Sequence, residues 1–212
     1  MRQRTFGIAI LAIVAFAAGL LIARSLTQPK QAPPPSTERA TVLDAPRPLP
    51  SLSLVDQDGR PWGTERFDGH WTLVFFGYTS CPDVCPTMLA TLARMRKALV
   101  DLPPAQQPRV LFVSVDPERD DPARIAAYVR FFDPSFEGAT GDARGVADAA
   151  AAFGVPYLKV DVTDGGYNMD HGSGLFLIGP DGTLVAYSSA PHDAAVLARD
   201  YRSIVTAHGV AP

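Results

Sequence analysis

Short apolar runs alternate with helical patterns along most of this chain, and this alternation limits the folds open to it. Residues 71–76 (WTLVFF) and 110–115 (VLFVSV) are short, mostly apolar runs with the length of a strand that is buried on both faces. Between them, apolar residues spaced by four, three and four positions predict a helix with one buried stripe, formed by Met88, Leu92, Met95 and Leu99. Strand, helix and strand in this order indicate an α/β domain.

The flanking segments extend the same pattern. The sequence Asp58-Gly59 after residues 52–55 indicates a short hairpin. Further helices are predicted over about residues 122–131, over residues 142–153 and up to residue 208, and further strands over residues 175–178 and 184–187. The last two strands are joined by Pro180-Asp181-Gly182, which favours a turn. The whole pattern predicts a mixed sheet flanked by helices, with a thioredoxin-like outline.

Residues 6–23 (FGIAILAIVAFAAGLLIA) contain no charged or strongly polar side chain. As a helix, these eighteen residues approach the ~30 Å thickness of a bilayer core, so we expect a single-pass transmembrane anchor after a cytoplasmic segment, residues 1–5. A cleaved signal peptide is the alternative, but the A-x-A sequence at residues 15–17 lies inside the apolar run rather than after it. Both interpretations export the rest of the chain. We expect a bacterial plasma (inner) membrane, with the soluble domain facing the periplasm or exterior.

Residues 24–50 are rich in proline, with seven prolines between positions 29 and 50 and few large apolar side chains. This composition predicts a semi-rigid linker, followed by a single domain over residues 51–212. The net charge is −3, and no stretch of the sequence forms a face of clustered lysine and arginine. A nucleic-acid partner is therefore not expected.

The two cysteines lie four residues apart, in the segment that leaves the first buried strand and enters the helix. Ligands bind at this end of the strands in open α/β sheets. Pro86 suits the first position of the helix, which predicts that Cys85 is the N-cap residue and has a lowered pKa. If the segment coils, the sulfurs of Cys81 and Cys85 lie roughly 6 Å apart or less, close enough to form a disulfide or to bind one soft metal ion.

Three other roles of the cysteine pair fit the sequence less well. A structural disulfide would close a loop of five residues, and the stabilisation by a disulfide grows with the length of the loop. Thioredoxin-type exchange uses C-x-x-C, whereas this chain has C-x-x-x-C. The P-x-x-x-[ST]-x-x-C pattern of thiol peroxidases of related fold is present at neither cysteine. Metal binding and thiol–disulfide exchange both remain open.

An imidazole commonly joins two thiolates around a soft metal ion. His70, His192 and His208 fit a turn, a solvated helix start and a helix C-terminus, respectively. His171 lies instead in a polar segment before residues 175–178, and in a thioredoxin-like sheet this segment lies beside the cysteines. The sequence Gly172-Ser173-Gly174 predicts that the segment is a mobile loop. Three carboxylates are candidates for supporting the metal ligands, namely Asp116, Asp120 and Asp170, although the acidic cluster at residues 116–121 also suits a helix cap.

Three segments of the chain, taken in order, resemble the Sco/SenC family of copper proteins. These are residues 75–86 (FFGYTSCPDVCP), residues 115–120 (VDPERD), and Asp170-His171 followed by residues 177–182 (LIGPDG). The resemblance covers about residues 51–208, together with the membrane anchor. It implies a thioredoxin-like fold that binds one copper ion per domain, as Cu(I) or Cu(II), through Cys81, Cys85 and His171. Many members have histidine in place of Ser80, a position outside the usual ligand set.

The family consists of membrane-anchored proteins for cytochrome c oxidase assembly. The resemblance therefore implies a copper chaperone for the dinuclear copper centre of oxidase subunit II, with that subunit as partner and a periplasmic copper donor or thiol reductant as further partners. The alternative is an exported thiol–disulfide oxidoreductase in which Cys81 and Cys85 reduce the cysteines of a partner. Whether the chain is an enzyme depends on which of the two functions it has.

Overall fold

A computed structural model describes residues 18–19, 35–163 and 165–208 of the chain. The chain divides into two units, residues 1–34 and 35–212, and the second contains the fold that follows. The predicted cytoplasmic segment, and the predicted anchor apart from residues 18–19, lie outside the described residues. Within the described residues, no helix combines the length and the apolar character needed to cross a bilayer.

An eight-stranded mixed sheet forms the centre of the domain. Its strands are β1 (Ala40–Pro48), β2 (Leu54–Asp56), β3 (Pro61–Trp62), β4 (Thr72–Gly77), β5 (Arg109–Ser114), β6 (Glu137–Thr140), β9 (Leu175–Ile178) and β10 (Thr183–Ser188). Their spatial order is β1-β10-β9-β4-β5-β6-β2-β3. Strands β4, β5 and β6 run parallel to one another, whereas β9 is antiparallel to β4. Strands β7 (Tyr157–Val162) and β8 (Gly166–His171) form a separate antiparallel pair.

Within residues 35–163 and 165–208, four α-helices accompany the sheet: α1 (Val84–Lys97), α2 (Pro122–Phe132), α3 (Ala143–Phe153) and α4 (Ala194–His208). Two 3₁₀ turns cover Thr64–Phe67 and Pro104–Gln106. The predicted stripe is buried in the core: Met88, Leu92 and Met95 lie on α1, and Leu99 lies two residues after its end. Asp121 and Asp142 cap α2 and α3, since each carboxylate accepts a hydrogen bond from the backbone N–H three residues later. The prediction of a mixed α/β sheet flanked by helices is confirmed.

The prediction of a linker through residue 50 is wrong for residues 40–48, which form the edge strand β1. This strand pairs antiparallel with β10 through Ala40–Ser188 and Thr41–Tyr187, and the register shifts between Val42 and Arg47. An edge strand tolerates the prolines that suggested a linker, because their missing N–H groups need not face a neighbouring strand. The folded domain therefore begins before residue 51.

The hairpin of β7 and β8 was not predicted, and its composition explains why. Leu158, Val160 and Val162 alternate along β7 but are exposed, so they give no run of buried residues. Strand β8 (GYNMDH) is largely polar and begins with glycine. His171 is consequently the last residue of a strand rather than part of a loop, and it pairs with Tyr157.

The start of β1 is held by a buried carboxylate, and this contact predicts the effect of a substitution. Asp200 of α4 accepts hydrogen bonds from the N–H groups of Glu38, Arg39 and Ala40, over 2.7, 2.9 and 2.8 Å. We expect Asp200→Ala to lower the free energy of unfolding by about 2 kcal/mol, because these donors lose a charged acceptor. Urea denaturation of the domain, residues 35–212, measures this change.

The matched control is Arg199→Ala, which removes the exposed ion pair of the neighbouring Arg199 with Glu38. We expect little change in stability, because water screens an exposed pair. Equal denaturation midpoints for the two variants would contradict the role of Asp200.

Candidate metal centre

Both cysteines lie where β4 gives way to α1. Asp83 occupies the N-cap position of this helix, so Cys85 is its second residue and Pro86 its third, not the N-cap and first residue as predicted. The side chain of Asp83 makes no capping hydrogen bond. The sulfur of Cys81 instead accepts the N–H of Cys85 at 3.5 Å, so that it lies against the free N–H groups at the start of α1.

Glycine at position 77 allows the thiol of Cys85 to lie against the end of β4. A Cβ atom at Gly77 would stand 2.6 Å from the Cys85 sulfur and 2.8 Å from the ring of Phe112. Both distances are too short for carbon, so a larger residue would displace the thiol or the ring. Cys85 is fully buried, whereas Cys81 is partly exposed.

His171 reaches the cysteines from the end of β8. Its Nε2 atom lies 3.4 Å from the sulfur of Cys85, and its Nδ1 atom lies 3.1 Å from the carbonyl oxygen of Gly172. With its ring proton on Nδ1, the imidazole would donate to this carbonyl and offer the Nε2 lone pair to a metal ion held by the sulfurs. The rings of Phe75 and Tyr78 pack against the imidazole in T-shaped geometry, with centroid distances of 6.2 and 5.9 Å, respectively.

The two sulfurs and one imidazole nitrogen lie within 4.8 Å of one another. Donors that share one ion at about 2.0–2.3 Å lie roughly 3.5–4 Å apart, so small side-chain rotations complete the site. Two thiolates and an imidazole suit Cu(I) or Zn²⁺ and do not suit the hard cations Mg²⁺ and Ca²⁺. Both cysteines are free thiols in the structure. The arrangement can therefore hold one soft metal ion or, in another state, close a disulfide.

The two thiols differ in acidity because they share a hydrogen bond. The thiol of Cys85 donates to Cys81, and this bond lowers the pKa of Cys81, with further donation from the backbone N–H groups of Cys85 and Asp83. The same bond raises the pKa of Cys85, and burial raises it further. Cys81 is therefore the more acidic thiol of the pair, and the pKa of Cys85 is raised rather than lowered as predicted.

Asp120 ties the cysteine loop to the end of β5. Its carboxylate accepts hydrogen bonds from the backbone N–H of Thr79 at 2.8 Å, from the hydroxyl of Thr79 at 2.6 Å and from the hydroxyl of Ser114 at 2.6 Å. The side chain is buried. Asp120 therefore orients the segment that leads into Cys81 without contributing a ligand itself.

The other two predicted supporting carboxylates occupy different places. Asp116 is buried and accepts the hydroxyl of Tyr167 at 2.8 Å, so it contacts the strand that carries His171. Asp170 is exposed and lies on the face of β8 opposite to His171, because neighbouring residues of a strand alternate. Within the described residues its side chain makes no hydrogen bond, and the structure does not bring it to the site.

The remaining histidines lie away from the three donors. His70 is exposed in a turn, and Nδ1 of His208 lies 2.9 Å from the carbonyl of Ile204 within α4. His192, predicted to be solvated, is half-buried, and its Nε2 lies 2.9 Å from the carbonyl of Ser173. Together with the hydrogen bond from the Gly172 N–H to the Pro156 carbonyl, this contact anchors the loop that was predicted to be mobile.

Comparison with known proteins identifies the family. The SCO1/SenC family model matches residues 44–206, more than three quarters of the chain. The chain belongs to the SCO1/SenC family. The resemblance of its motifs is thereby confirmed, and the match begins inside β1, before the predicted start of the domain.

Individual SCO1/SenC relatives agree with this assignment. A Stutzerimonas stutzeri protein, named for proposed copper binding, is 37% identical over 158 residues, which cover 73% of this chain and 76% of that protein. The mitochondrial protein SCO2 homolog of Mus musculus is 36% identical over 163 residues, 76% of this chain and 64% of the mouse protein. The chain thus spans less than two thirds of the mouse protein.

A solved structure confirms the thioredoxin-like α/β fold of this SCO1/SenC chain. The crystal structure of Arabidopsis thaliana ScoI with copper bound superimposes with a TM-score of 0.70 at 30% sequence identity. The match covers 74% of this chain and 98% of the plant one. The cysteines and the histidine lie within the region matched by the family model.

The unequal acidity of the two thiols predicts selective alkylation. In the reduced, metal-free domain, we expect iodoacetamide at pH 6 to modify Cys81 and to leave the buried, protonated Cys85 unmodified. An ordinary cysteine loses roughly tenfold in alkylation rate for each pH unit below its pKa, because the thiolate is the reactive form. The pKa of Cys81 is lowered, so its thiolate persists at these pH values. Mass spectrometry of the peptides measures both sites. Equal labelling of Cys81 and Cys85 at pH 6 would contradict the assigned proton position.

Proposed function

We propose that this SCO1/SenC chain is a copper chaperone that carries one copper ion on Cys81, Cys85 and His171. We further propose that it serves assembly of the dinuclear copper centre of cytochrome c oxidase subunit II, as the family resemblance implies. The observation that carries the proposal is the convergence of three soft-metal donors, although Cys85 and His171 are 86 residues apart in sequence. The copper in the related plant ScoI structure supports the choice of metal.

The exposure of the three donors fits a carrier that must give up its ion. Cys81 and His171 are partly exposed, whereas Cys85 is buried. A thiolate of the partner therefore approaches from the side of Cys81 and His171. Cu(I) accepts low coordination numbers, so the partner's thiolate can join while the imidazole leaves, and Cys85 is the last ligand released.

The oxidation state of the ion changes how much the imidazole contributes. Cu(I) is satisfied by the two thiolates, whereas Cu(II) gains more from the nitrogen ligand and from a higher coordination number. Loss of His171 should therefore affect the two forms of the copper protein unequally. This difference distinguishes a role of His171 as a ligand from a role in folding alone.

We also propose an anchor in a bacterial inner membrane, with the domain on the periplasmic side. Residues 6–23 are long enough to span the bilayer core, and Arg2 and Arg4 before them favour a cytoplasmic N-terminus. The placement brings the copper site to the compartment outside the cytoplasm. Protease treatment of spheroplasts tests it: the domain should be cleaved there, and protection would contradict the placement.

Thiol–disulfide exchange with the cysteines of the partner is the second candidate function. The specific observation that favours it is that Cys81 is a partly exposed thiol with a lowered pKa and a second free thiol beside it. In this case the metal-free domain should reduce a partner disulfide rapidly, and His171→Ala should not diminish the rate. Stopped-flow kinetics with the oxidised partner domain measures this rate, and slow exchange by the reduced wild type would exclude the function.

The copper proposal predicts the behaviour of three variants of the domain, residues 35–212. Cys81→Ser and Cys85→Ser should each abolish tight binding of Cu(I) and Cu(II), because one thiolate cannot replace the pair. His171→Ala should keep some Cu(I) affinity but lose the visible thiolate-to-Cu(II) absorption. Competition with a Cu(I) chelator and absorption spectroscopy of the Cu(II) form measure these effects.

The matched control is His70→Ala, which removes an exposed histidine from the turn before β4, whereas the cysteines follow the other end of this strand. Its copper stoichiometry and spectra should equal those of the wild type. Tight copper binding by both serine variants would reject the assignment of the site. An unchanged Cu(II) spectrum in His171→Ala would remove the histidine from it.

A further inference from the structure

Arg119 lies between the two arms of the candidate metal centre. One arm is the cysteine loop, residues 78–85, which follows β4, and the other is strand β8, which ends at His171. Arg119 belongs to neither arm, since it is part of the loop between β5 and α2. Its guanidinium contacts aromatic side chains of both.

On the histidine arm, Arg119 contacts Tyr167 in two ways. Its Nη1 donates to the backbone carbonyl of Tyr167 at 2.9 Å, and its guanidinium carbon lies 3.7 Å from the centroid of the Tyr167 ring. Tyr167 and His171 are four residues apart in β8, so they project from the same face of the strand. Arg119 therefore contacts strand β8 on the same face that carries the imidazole of His171.

On the cysteine arm, the guanidinium of Arg119 lies 5.6 Å from the centroid of the Tyr78 ring. Tyr78 packs in turn against the ring of His171, and its backbone carbonyl accepts the N–H of Cys81 at 3.2 Å. One aromatic side chain therefore touches Arg119 and the imidazole, while its backbone supports the first cysteine.

Asp116 completes the connection. Its buried carboxylate forms an ion pair with Nε of Arg119 and accepts the hydroxyl of Tyr167 at 2.8 Å. The remaining nitrogen, Nη2 of Arg119, is buried and has no hydrogen-bond partner among the described residues. The guanidinium is therefore held in one orientation by an acid, a carbonyl and two rings, not by solvent.

We propose that Arg119 is a positioning residue, which keeps strand β8 and thus Nε2 of His171 within reach of the two sulfurs. The inference rests on the proposed copper function. In it, Arg119 holds the histidine arm in place. The cysteine arm has a different support, because Asp120 holds Thr79 through two hydrogen bonds. Loss of Arg119 should therefore release the imidazole and leave the cysteine pair in place.

The test compares three variants in the full chain. Arg119→Met keeps the apolar part of the side chain but removes its charge and donors, and Arg119→Lys restores the charge without the forked donors. The matched control is Lys159→Met, because Lys159 also stacks on Tyr167, with its Nζ 3.9 Å from the ring centroid. Lys159 pairs with the exposed Glu118 and so does not link the two arms.

The first measurement needs no copper. In the metal-free protein, we expect the amides of residues 166–171 to exchange with solvent about tenfold faster in Arg119→Met than in the wild type. Arg119→Lys should recover part of this protection, and Lys159→Met should match the wild type. The amides of β4 and β5 should be unchanged in all three variants, because their sheet pairing does not involve Arg119.

The second measurement uses the copper-loaded protein. Arg119→Met should lose the nitrogen hyperfine coupling in the electron paramagnetic resonance spectrum of the Cu(II) form, while its Cu(I) affinity stays within about threefold of the wild type. Wild-type exchange rates and an unchanged Cu(II) spectrum in both Arg119 variants would overturn the inference. The inference would also be overturned if Lys159→Met showed the same exchange rates and the same Cu(II) spectrum as Arg119→Met. If the wild type itself bound no copper, the proposed function would fail instead, while the exchange rates would still report on Arg119.

Discussion

The parallel pairing of β4 with β5 is the constraint on which the site depends. Gly77 and Ser114 are partners at the end of this ladder, so the two loops that follow leave the sheet side by side. The first loop supplies the sulfurs, and the second supplies the buried carboxylate of Asp120 that holds the first loop. Because the strands are buried on both faces, their register is set by the hydrophobic core, and the spacing of the loops follows from it.

Sequence patterns predicted the elements that bury apolar side chains and missed those that do not. The runs at residues 71–76 and 110–115 and the stripe of α1 lie in the core, and their periodicity reports that burial. Strand β1 pairs at an edge with exposed side chains and two prolines, and β8 is polar, so neither has an apolar pattern. Strands β1 and β8 are both defined by their pairing with a neighbouring strand, and a local sequence pattern does not record such pairing.

The same distinction applies to the site. The convergence of Cys81, Cys85 and His171 was predictable because few residue types bind soft metals and the fold class brings these segments together. Tyr167 and Arg119 carry no such chemical signal, since a tyrosine and an arginine in polar segments are common on any protein surface. Their roles follow from a hairpin that the sequence did not predict. Cys85 is the second residue of α1 and was predicted two positions too early, at the N-cap, for a related reason: the first turn of a helix accepts proline beyond its first position.

The two-stranded pair of β7 and β8 has a consequence for the timing of ligand exchange. A two-stranded hairpin is marginally stable by itself, and here Leu158, Val160 and Val162 on its outer face are exposed. Its local opening costs less free energy than unfolding of the eight-stranded sheet. The candidate nitrogen donor therefore belongs to this two-stranded pair, whereas both candidate sulfur donors follow a central strand of the eight-stranded sheet. Departure of the imidazole can proceed at the rate of that local opening, with the rest of the protein intact.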